Sequence, residues 1–215
     1  MPTEVKFCGM TRAEDVAAAV AFGAAYVGVI FAGGPRAIDP HTAHTILAMT
    51  GSETQRVGVF GDNTAEGIAA NSRTAHLDII QLHGNPTART VEEVRALSGL
   101  QTWAVVRING GELPPVYEEL RETADAIVLD AAVPGGLGGM GMPFDWYAVA
   151  RTLVRSPRPS LLVVAGGLTA DNVSQAIEAL DPDVVDVSTG IELSPGIKHP
   201  GRMRDFAAAV RSSSP

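Results

Sequence analysis

"EVKFCGMTRAED", residues 4–15, places a short β-like run directly before a helix-like segment, with the chain's single cysteine at the junction. A strand that leads at once into a helix is the repeating unit of α/β folds. Comparable strand-to-helix units recur along the rest of the sequence, so this stretch indicates how the whole chain is organised.

Short apolar runs, several of them almost continuously apolar, are typical of parallel strands that are covered on both faces. We predict strands at 4–8, 25–31, 56–60, 77–82, 102–108, 125–130, 160–165 and 183–188. Helical patterns, several opening with caps such as Asp39 and Thr169, predict helices at 12–22, 40–49, 64–74, 87–98, 114–123, 143–154, 169–180 and 200–211. Eight alternating pairs without a linker indicate a single-domain (β/α)8 barrel over residues 1–215. A doubly wound open sheet is the alternative, which the even spacing and the count of eight disfavour.

The composition limits the partners that the protein can have. The chain has 46% apolar residues, 19% charged residues and a formal charge of −8, with the acidic residues dispersed. Nucleic acids and anionic membranes require clustered Lys and Arg, so neither is expected as a partner. One cysteine cannot form an internal disulfide, and the N-terminus lacks the profile of a signal peptide. These features predict a cytoplasmic protein.

Two glycine turns follow the last two predicted strands. "VVAGGLT" contains Gly166 and Gly167, and "DVSTGIE" contains Ser188, Thr189 and Gly190. Backbone N–H groups in such loops form a concave set of donors for a phosphate, and barrels often bind phosphate after strands 7 and 8. The alternative is that the glycines only permit tight turns. Because two such turns lie on neighbouring strands, we favour a phosphate site.

Cys8 and Asp130 each end a predicted strand, where barrels collect their functional groups. Side chains alternate across a strand, so Cys8 shares the inward face of its strand with Lys6. The same count turns Asp130 inward on strand 6, across the barrel mouth from Cys8. A thiolate opposite a carboxylic acid suits a general base and a general acid. The alternatives are a buried, inert cysteine and an aspartate that only caps the next turn.

Four further residues complete the predicted site. Lys6 is expected to form a structural ion pair with Asp186, which also faces inward, although Asp186 could instead reach a substrate hydroxyl. Arg36, in the loop after strand 2, suits a carboxylate ligand, or it is an exposed loop arginine. His83 ends strand 4 and either donates a hydrogen bond into the mouth or is structural.

A glycine-rich loop follows Asp130, "AAVPGGLGGMGMPFDW". It is too long for a simple connection, and we predict that it closes over the substrate and excludes water. A solvated loop without a function is the alternative.

The chain resembles the phosphoribosylanthranilate isomerase family of the tryptophan pathway. The resemblance rests on "VKFCGMTRAEDV", "GPR", "VGVF", "QLHG", "LDA", "GGMGMPFDW", "AGGLTADNV" and "VDVSTGIELSPGIK", which occur in this order. It implies an Amadori rearrangement of N-(5-phosphoribosyl)anthranilate without metal or organic cofactor, by a monomer or homodimer. It further implies that Asp130 protonates the ribose ring oxygen, that Cys8 removes the C2′ proton and that Arg36 holds the anthranilate carboxylate.

The chain departs from the family pattern at three positions, none of them Cys8, Asp130 or Arg36. Met140 stands in place of the usual Thr, Gly34 in place of Ser, and His199 in place of Asp. Two rival functions are the isomerase of histidine biosynthesis, alone or in a bifunctional barrel, and a non-catalytic sugar-phosphate-binding barrel. The first characteristically has an aspartate at the position of Cys8, and the second leaves Cys8 and Asp130 without a purpose.

Overall fold

Eight parallel strands close into a barrel in the computed structural model, which describes residues 2–132 and 143–213. The barrel strands are β1 (Glu4–Phe7), β2 (Tyr26–Ile30), β3 (Gln55–Phe60), β4 (Ile79–Leu82), β5 (Gln101–Ile108), β6 (Ala126–Ala131), β7 (Leu162–Val164) and β8 (Val184–Val187). Each strand pairs with the next, and β1 also pairs with β8, so the sheet has no free edge. The predicted (β/α)8 barrel is confirmed, and the open sheet is excluded.

Helices alternate with the strands and cover the outside of the barrel. They are α1 (Ala13–Ala21), α2 (Pro40–Leu47), α3 (Ala65–Ala75), α4 (Ala88–Ser98), α5 (Val116–Thr123), α6 (Trp146–Leu153), α7 (Val173–Leu180) and α8 (Pro200–Ser213). The longest of these, α8, has 14 residues. Within the described ranges, no helix is both long and apolar enough to cross a membrane.

The apolar core has two layers because side chains alternate across each strand. In β6, Ile127 and Leu129 pack in the outer layer against the helices, whereas Ala126 and Val128 belong to the cluster inside the barrel. Asp130 continues the inward series and therefore emerges at the carboxyl-terminal mouth. The strand pattern thus positions a carboxyl group at the end of an otherwise apolar barrel interior.

Two predicted helices begin three or four residues later than expected. Prediction placed them at 143 and 169, but α6 begins at Trp146 after its N-cap Asp145, and α7 begins at Val173. Before α7, the Asn172 side chain accepts a bond from the Thr169 N–H (2.8 Å) and donates one to the Gly167 carbonyl (2.9 Å). These bonds hold residues 169–172 in a turn, which replaces the first turn of the expected helix.

A short hairpin interrupts the connection between β8 and α8. Its strands are β9 (Glu192–Ser194) and β10 (Ile197–Lys198), which pair antiparallel. The sequence analysis did not predict this hairpin. It carries Glu192 and Lys198 back to the mouth of the barrel, where both side chains are buried.

Candidate active site

Cys8 follows β1 and lies inside the barrel mouth. Its N–H donates to the Val187 carbonyl (2.9 Å), which fixes the residue against the end of β8. Gly28 on β2 leaves the space for the sulfur, since a Cβ there would lie 2.8 Å from Cys8 Sγ and 3.2 Å from Lys6 Nζ. The inward direction predicted for Cys8 and Lys6 is therefore confirmed.

A cation lies beneath the thiol. Lys6 is fully buried, and its Nζ donates to Asp186 Oδ2 at 2.7 Å, which confirms the predicted ion pair. Burial lowers the pKa of Lys6, but the charges of Asp186 and Cys8 outweigh burial and raise the pKa above its ordinary value. Burial raises the pKa of the Cys8 thiol, whereas the charges of Lys6 and Lys198 oppose this rise. In the resting protein Cys8 is thus a thiol, and it lies beside the positive charge of Lys6.

Asp130 lies in a pocket with two basic side chains. Its Oδ2 is 3.5 Å from Arg107 Nη1 and 3.8 Å from His83 Nε2. Burial raises the pKa of Asp130 above its ordinary value, and His83 and Arg107 act in the opposite direction. A buried carboxyl with a raised pKa is suited to donate a proton, and cations nearby stabilise the carboxylate that remains.

Gly166 packs directly against Asp130. It has a φ of +84°, and a Cβ at this position would lie 2.6 Å from Asp130 Oδ1 and 2.7 Å from the Ala131 nitrogen. An L side chain would be strained at this φ and would also displace the carboxyl group. Besides the phosphate site predicted for it, Gly166 therefore has a second role as the wall of the Asp130 pocket.

His83 and Arg107 form one unit with Asp130. The His83 N–H donates to the Phe60 carbonyl (2.7 Å), and the His83 carbonyl accepts from Arg107 Nη2 (2.8 Å). His83 thus lies at the mouth, as its position at the end of β4 suggested. Arg107 was not among the predicted site residues. Strand parity could have identified it, because Trp103 and Val105 face the interior on the same strand.

Asp186 interacts electrostatically with both Cys8 and Asp130. Its charge raises the pKa of both Cys8 and Asp130, so the carboxylate influences the two sides of the mouth at once. Oδ2 accepts from Lys6, whereas the buried Oδ1 has no hydrogen-bond partner among the described residues. A buried acceptor without a partner is costly, and a ligand hydroxyl can satisfy it.

Arg36 is buried more deeply than a loop arginine usually is. Its Nε and Nη2 donate to the two carboxylate oxygens of Glu192 at 2.8 and 2.7 Å. This contact corrects the interpretation of Arg36 as an exposed loop residue. One edge of the guanidinium is committed to Glu192, and the Nη1 end remains for a ligand.

The two glycine turns meet at the mouth. Gly166 and Gly167 follow β7, and Ser188 precedes a single 3-10 turn at Thr189–Ile191. Gly190 lies against the Leu168 carbonyl with no room for a side chain between them. The loops predicted to bind phosphate are therefore in contact with each other.

The structure describes His199, a departure from the family pattern, but not the predicted closing loop. The predicted closing loop, with Gly135, Gly136, Gly138, Gly139, Met140 and Gly141, lies outside the described residues. His199 accepts a bond from the Arg202 N–H (3.2 Å) and so caps the first turn of α8. The departure at His199 therefore preserves a local function that a capping aspartate would serve. Across residues 2–132 and 143–213, no three His, Cys, Asp or Glu side chains are grouped to hold a metal ion.

Comparison with known proteins gives one consistent result. The model of the family described as "N-(5'phosphoribosyl)anthranilate (PRA) isomerase" matches residues 5–209. The chain is 38% identical over 211 residues to the N-(5'-phosphoribosyl)anthranilate isomerase of Chromohalobacter salexigens, which covers 97% of this chain and 94% of that relative. The phosphoribosyl anthranilate isomerase of Thermotoga maritima superposes with a TM-score of 0.88 at 30% identity, over 98% of this chain and 99% of that chain. A phosphoribosyl anthranilate isomerase in complex with reduced 1-(o-carboxyphenylamino)-1-deoxyribulose 5-phosphate superposes with a TM-score of 0.85 at 28% identity, over 98% and 99% of the two chains.

Proposed function

The chain belongs to the N-(5'-phosphoribosyl)anthranilate isomerase family, the aldose–ketose isomerases of tryptophan biosynthesis, and on this premise we propose that Asp130 is its general acid and Cys8 its general base. The observation that carries the proposal is the placement of the two groups. Both project into one barrel mouth from separate strands, and the charge of Asp186 acts on both of them.

The first step is ring opening. Asp130, kept protonated by burial, donates its proton to the ribose ring oxygen. The bond between C1′ and the ring oxygen breaks, and the nitrogen lone pair forms a C=N double bond to C1′, giving an iminium. Asp130 becomes a carboxylate, which the guanidinium of Arg107 stabilises. This cation makes the proton easier to donate, because it favours the ionised form of the acid.

The second step is proton removal from C2′. Cys8 acts as a thiolate and takes the C2′ proton, and the electrons of the C–H bond form a C1′=C2′ double bond. The iminium nitrogen is neutralised, and the resulting enolamine tautomerises to the ketose. The thiolate is unfavourable in the resting protein, since burial raises the pKa of the thiol. The positive charge of Lys6 and the cationic iminium both favour the thiolate when it is needed.

The remaining residues bind the ends of the substrate. The turns at 166–167 and 188–190 hold the phosphate through their backbone N–H groups. Arg36 holds the anthranilate carboxylate through its Nη1 end. Asp186 Oδ1, which lacks a partner among the described residues, accepts a hydrogen bond from a ribose hydroxyl. His83 completes the wall at the ribose.

Kinetics of single variants test the two assignments. Asp130→Asn should lower kcat by about 10²–10⁴-fold, the range for loss of a general acid or base. Cys8→Ala should do the same. The matched control is Asp125→Asn, since Asp125 lies just before the opposite end of β6 and bonds Arg95 there. A kcat of either site variant within tenfold of the wild type would remove that residue from the mechanism. Turnover of the histidine-pathway phosphoribosyl substrate, measured alongside, tests the bifunctional alternative.

A further inference from the structure

The final motif of the sequence, S-x-G-x-E-x-x-P-G-x-K over residues 188–198, contains two charged residues that the proposed mechanism does not use. Glu192 and Lys198 lie on β9 and β10 and are both buried, with 5% and 1% of their surfaces exposed. Burial of charged side chains is unfavourable unless they are paired and hydrogen-bonded. The hairpin therefore brings two charges into the mouth whose burial is unfavourable unless each has bonding partners there.

The Glu192 carboxylate is fully engaged. Oε2 accepts from Arg36 Nη2 at 2.7 Å, and Oε1 accepts from Arg36 Nε and from Lys198 Nζ, both at 2.8 Å. The Gly196 N–H adds a bond to Oε1 at 3.1 Å. Arg202 also donates to the Glu192 backbone carbonyl. These contacts fix the carboxylate, and through it the orientation of the guanidinium.

Lys198 connects this network to the predicted phosphate site. Its Nζ lies 3.3 Å from the Ser188 carbonyl and 3.4 Å from Ser188 Oγ. Its backbone N–H donates to Asp15 Oδ2 at 3.2 Å, which holds β10 against α1. The ammonium group of Lys198 thus bonds both Glu192 and the loop after β8.

The network carries an excess of positive charge. Glu192 contributes one negative charge, and Arg36 and Lys198 contribute two positive charges. Burial raises the pKa of Glu192, but its bonds to Arg36 and Lys198 outweigh burial and lower the pKa below its ordinary value, so the carboxylate remains ionised. Burial lowers the pKa of Lys198, and its hydrogen bond to Glu192 opposes this shift. Because Cys8 is a thiol in the resting protein, it does not balance the network, and the three side chains carry one net positive charge beside it. A ligand carboxylate at this place would neutralise the site.

The free part of Arg36 faces this same region. Its Nε and Nη2 are occupied by Glu192, whereas Nη1 makes no hydrogen bond to any described residue. A Cβ at Gly9 would lie 2.9 Å from both Arg36 Cδ and Ser188 Oγ, so the arginine stem crosses the backbone immediately after Cys8. Arg36 is therefore held along one edge by Glu192, and its stem lies against the backbone next to Cys8.

We propose that Glu192, anchored by Lys198, is a positioning residue that aims Arg36 at the carboxylate of the substrate. The inference rests on the proposed function, in which Arg36 binds that carboxylate. A guanidinium held in place loses less conformational entropy on binding, so pre-orientation favours ligands that carry the matching anion. Glu192 therefore determines specificity for an aromatic amine that bears an ortho carboxylate.

Two variants separate geometry from charge. Glu192→Gln keeps the length of the side chain, but its amide presents N–H donors to Arg36 and Lys198, so the paired contact is broken. Glu192→Asp keeps the charge but is one methylene shorter, so it cannot reach both partners. If the glutamine variant does not fold, the aspartate variant carries the same test.

The measurement is calorimetric binding of two probes to the whole protein. One is reduced 1-(o-carboxyphenylamino)-1-deoxyribulose 5-phosphate, and the other is the same compound made with aniline, which lacks the carboxylate. The ratio of the two dissociation constants reports carboxylate recognition, and binding of the aniline compound reports that the site is folded. We expect both Glu192 variants to reduce this ratio by roughly 10- to 100-fold, the range for hydrogen bonds to charged groups.

Arg36→Met and the double variant Arg36→Met/Glu192→Gln complete the experiment. In the Arg36→Met background, Glu192→Gln should change the ratio by less than about twofold, because its effect acts through Arg36. If Arg36→Met itself leaves the ratio unchanged, the carboxylate assignment of the proposed function fails. If Arg36→Met reduces the ratio but the Glu192 variants do not, only the positioning role fails. Tighter binding of the carboxylate probe by Glu192→Gln would also overturn the positioning role, since Glu192 would then compete with the ligand carboxylate for Arg36. An equal loss for both probes would mean a purely structural role.

Discussion

Gly28→Ala should displace the sulfur of Cys8, the proposed base, without changing its chemical identity. Gly28 lies on β2, and a Cβ there would lie 2.8 Å from Cys8 Sγ and 3.3 Å from Cys8 Cα. Favourable contacts between such atoms begin at about 3.5 Å, so the sulfur must move by roughly 1 Å or the strands must separate. The φ of Gly28 is not positive, so alanine is acceptable to the backbone itself. The substitution therefore acts only by steric crowding of its neighbours.

The expected magnitudes follow from this crowding. Overpacking of a core costs about 1–3 kcal/mol, and the lower entropy of the unfolded chain offsets about 0.4–1 kcal/mol, so a net loss of roughly 1–2 kcal/mol in the free energy of unfolding is expected. A misplacement of about 1 Å in a reacting group can cost about 10²-fold in rate. We therefore expect kcat to fall by roughly 10- to 100-fold.

The neighbouring strand offers a matched control. Gly58 on β3 faces the outer layer, where a Cβ would crowd the Leu77 side chain and approach Phe60. Gly58→Ala should lower the free energy of unfolding by a similar amount but change kcat by less than about threefold, because it overpacks the core away from Cys8. Urea unfolding and steady-state kinetics measure both quantities. If Gly28→Ala loses stability while its kcat remains within threefold of the wild type, the position of the sulfur does not limit the reaction.

Three further variants test the electrostatics of the protein. Arg107→Met should lower kcat about tenfold and move the limb of the pH–rate profile that Asp130 sets to higher pH, since a cation that favours the carboxylate is lost; an unmoved limb would contradict this role. Lys6→Met should cost about 3–5 kcal/mol of unfolding free energy, because it leaves a buried carboxylate unpaired. It should also raise the pH at which iodoacetamide alkylates Cys8, the single thiol, and alkylation at unchanged pH would refute the link. Asp78, just before β4, forms an ion pair with Arg56 on β3, whose Nη2 lies 2.7 Å from Asp78 Oδ1. Burial raises the pKa of Asp78, but the bonds from Arg56 outweigh burial and lower the pKa. The ion pair therefore stabilises the fold above the ordinary pKa of Asp78, and this contribution is lost as the pH falls through the folded value. Asp78→Asn should thus cost about 0.5–1 kcal/mol at pH 7 and progressively less in acid, and a pH-independent loss would contradict the pairing.

Strand parity made the central part of the site predictable. On β1 the inward direction of Cys8 followed from the apolar Val5 and Phe7 on the opposite face, and on β6 that of Asp130 followed from its parity with Ala126 and Val128. The Lys6–Asp186 pair followed from the same count on two adjacent strands. Arg107 obeys this rule as well, since it follows the inward-facing Trp103 and Val105 on β5, but its position at a strand end does not by itself indicate that it lies beside Asp130.

Contacts made by irregular segments could not be predicted in this way. Glu192 reaches Arg36 because the chain folds into a hairpin after β8, and 156 residues separate the two partners in the sequence. The late start of α7 has a similar origin, since the Asn172 side chain bonds the Thr169 N–H and the Gly167 carbonyl and holds residues 169–172 in a turn. Periodicity describes strands and helices, whereas these positions depend on individual side-chain hydrogen bonds.

A crystal structure of the protein with reduced 1-(o-carboxyphenylamino)-1-deoxyribulose 5-phosphate tests the central claim most directly. The account predicts Cys8 Sγ within about 4 Å of C2′, and the Asp130 carboxyl within about 3.2 Å of the oxygen that closes the ribose ring, the reach that proton transfer requires. A fully bound ligand with either group out of reach of its atom would contradict the assignment of base and acid.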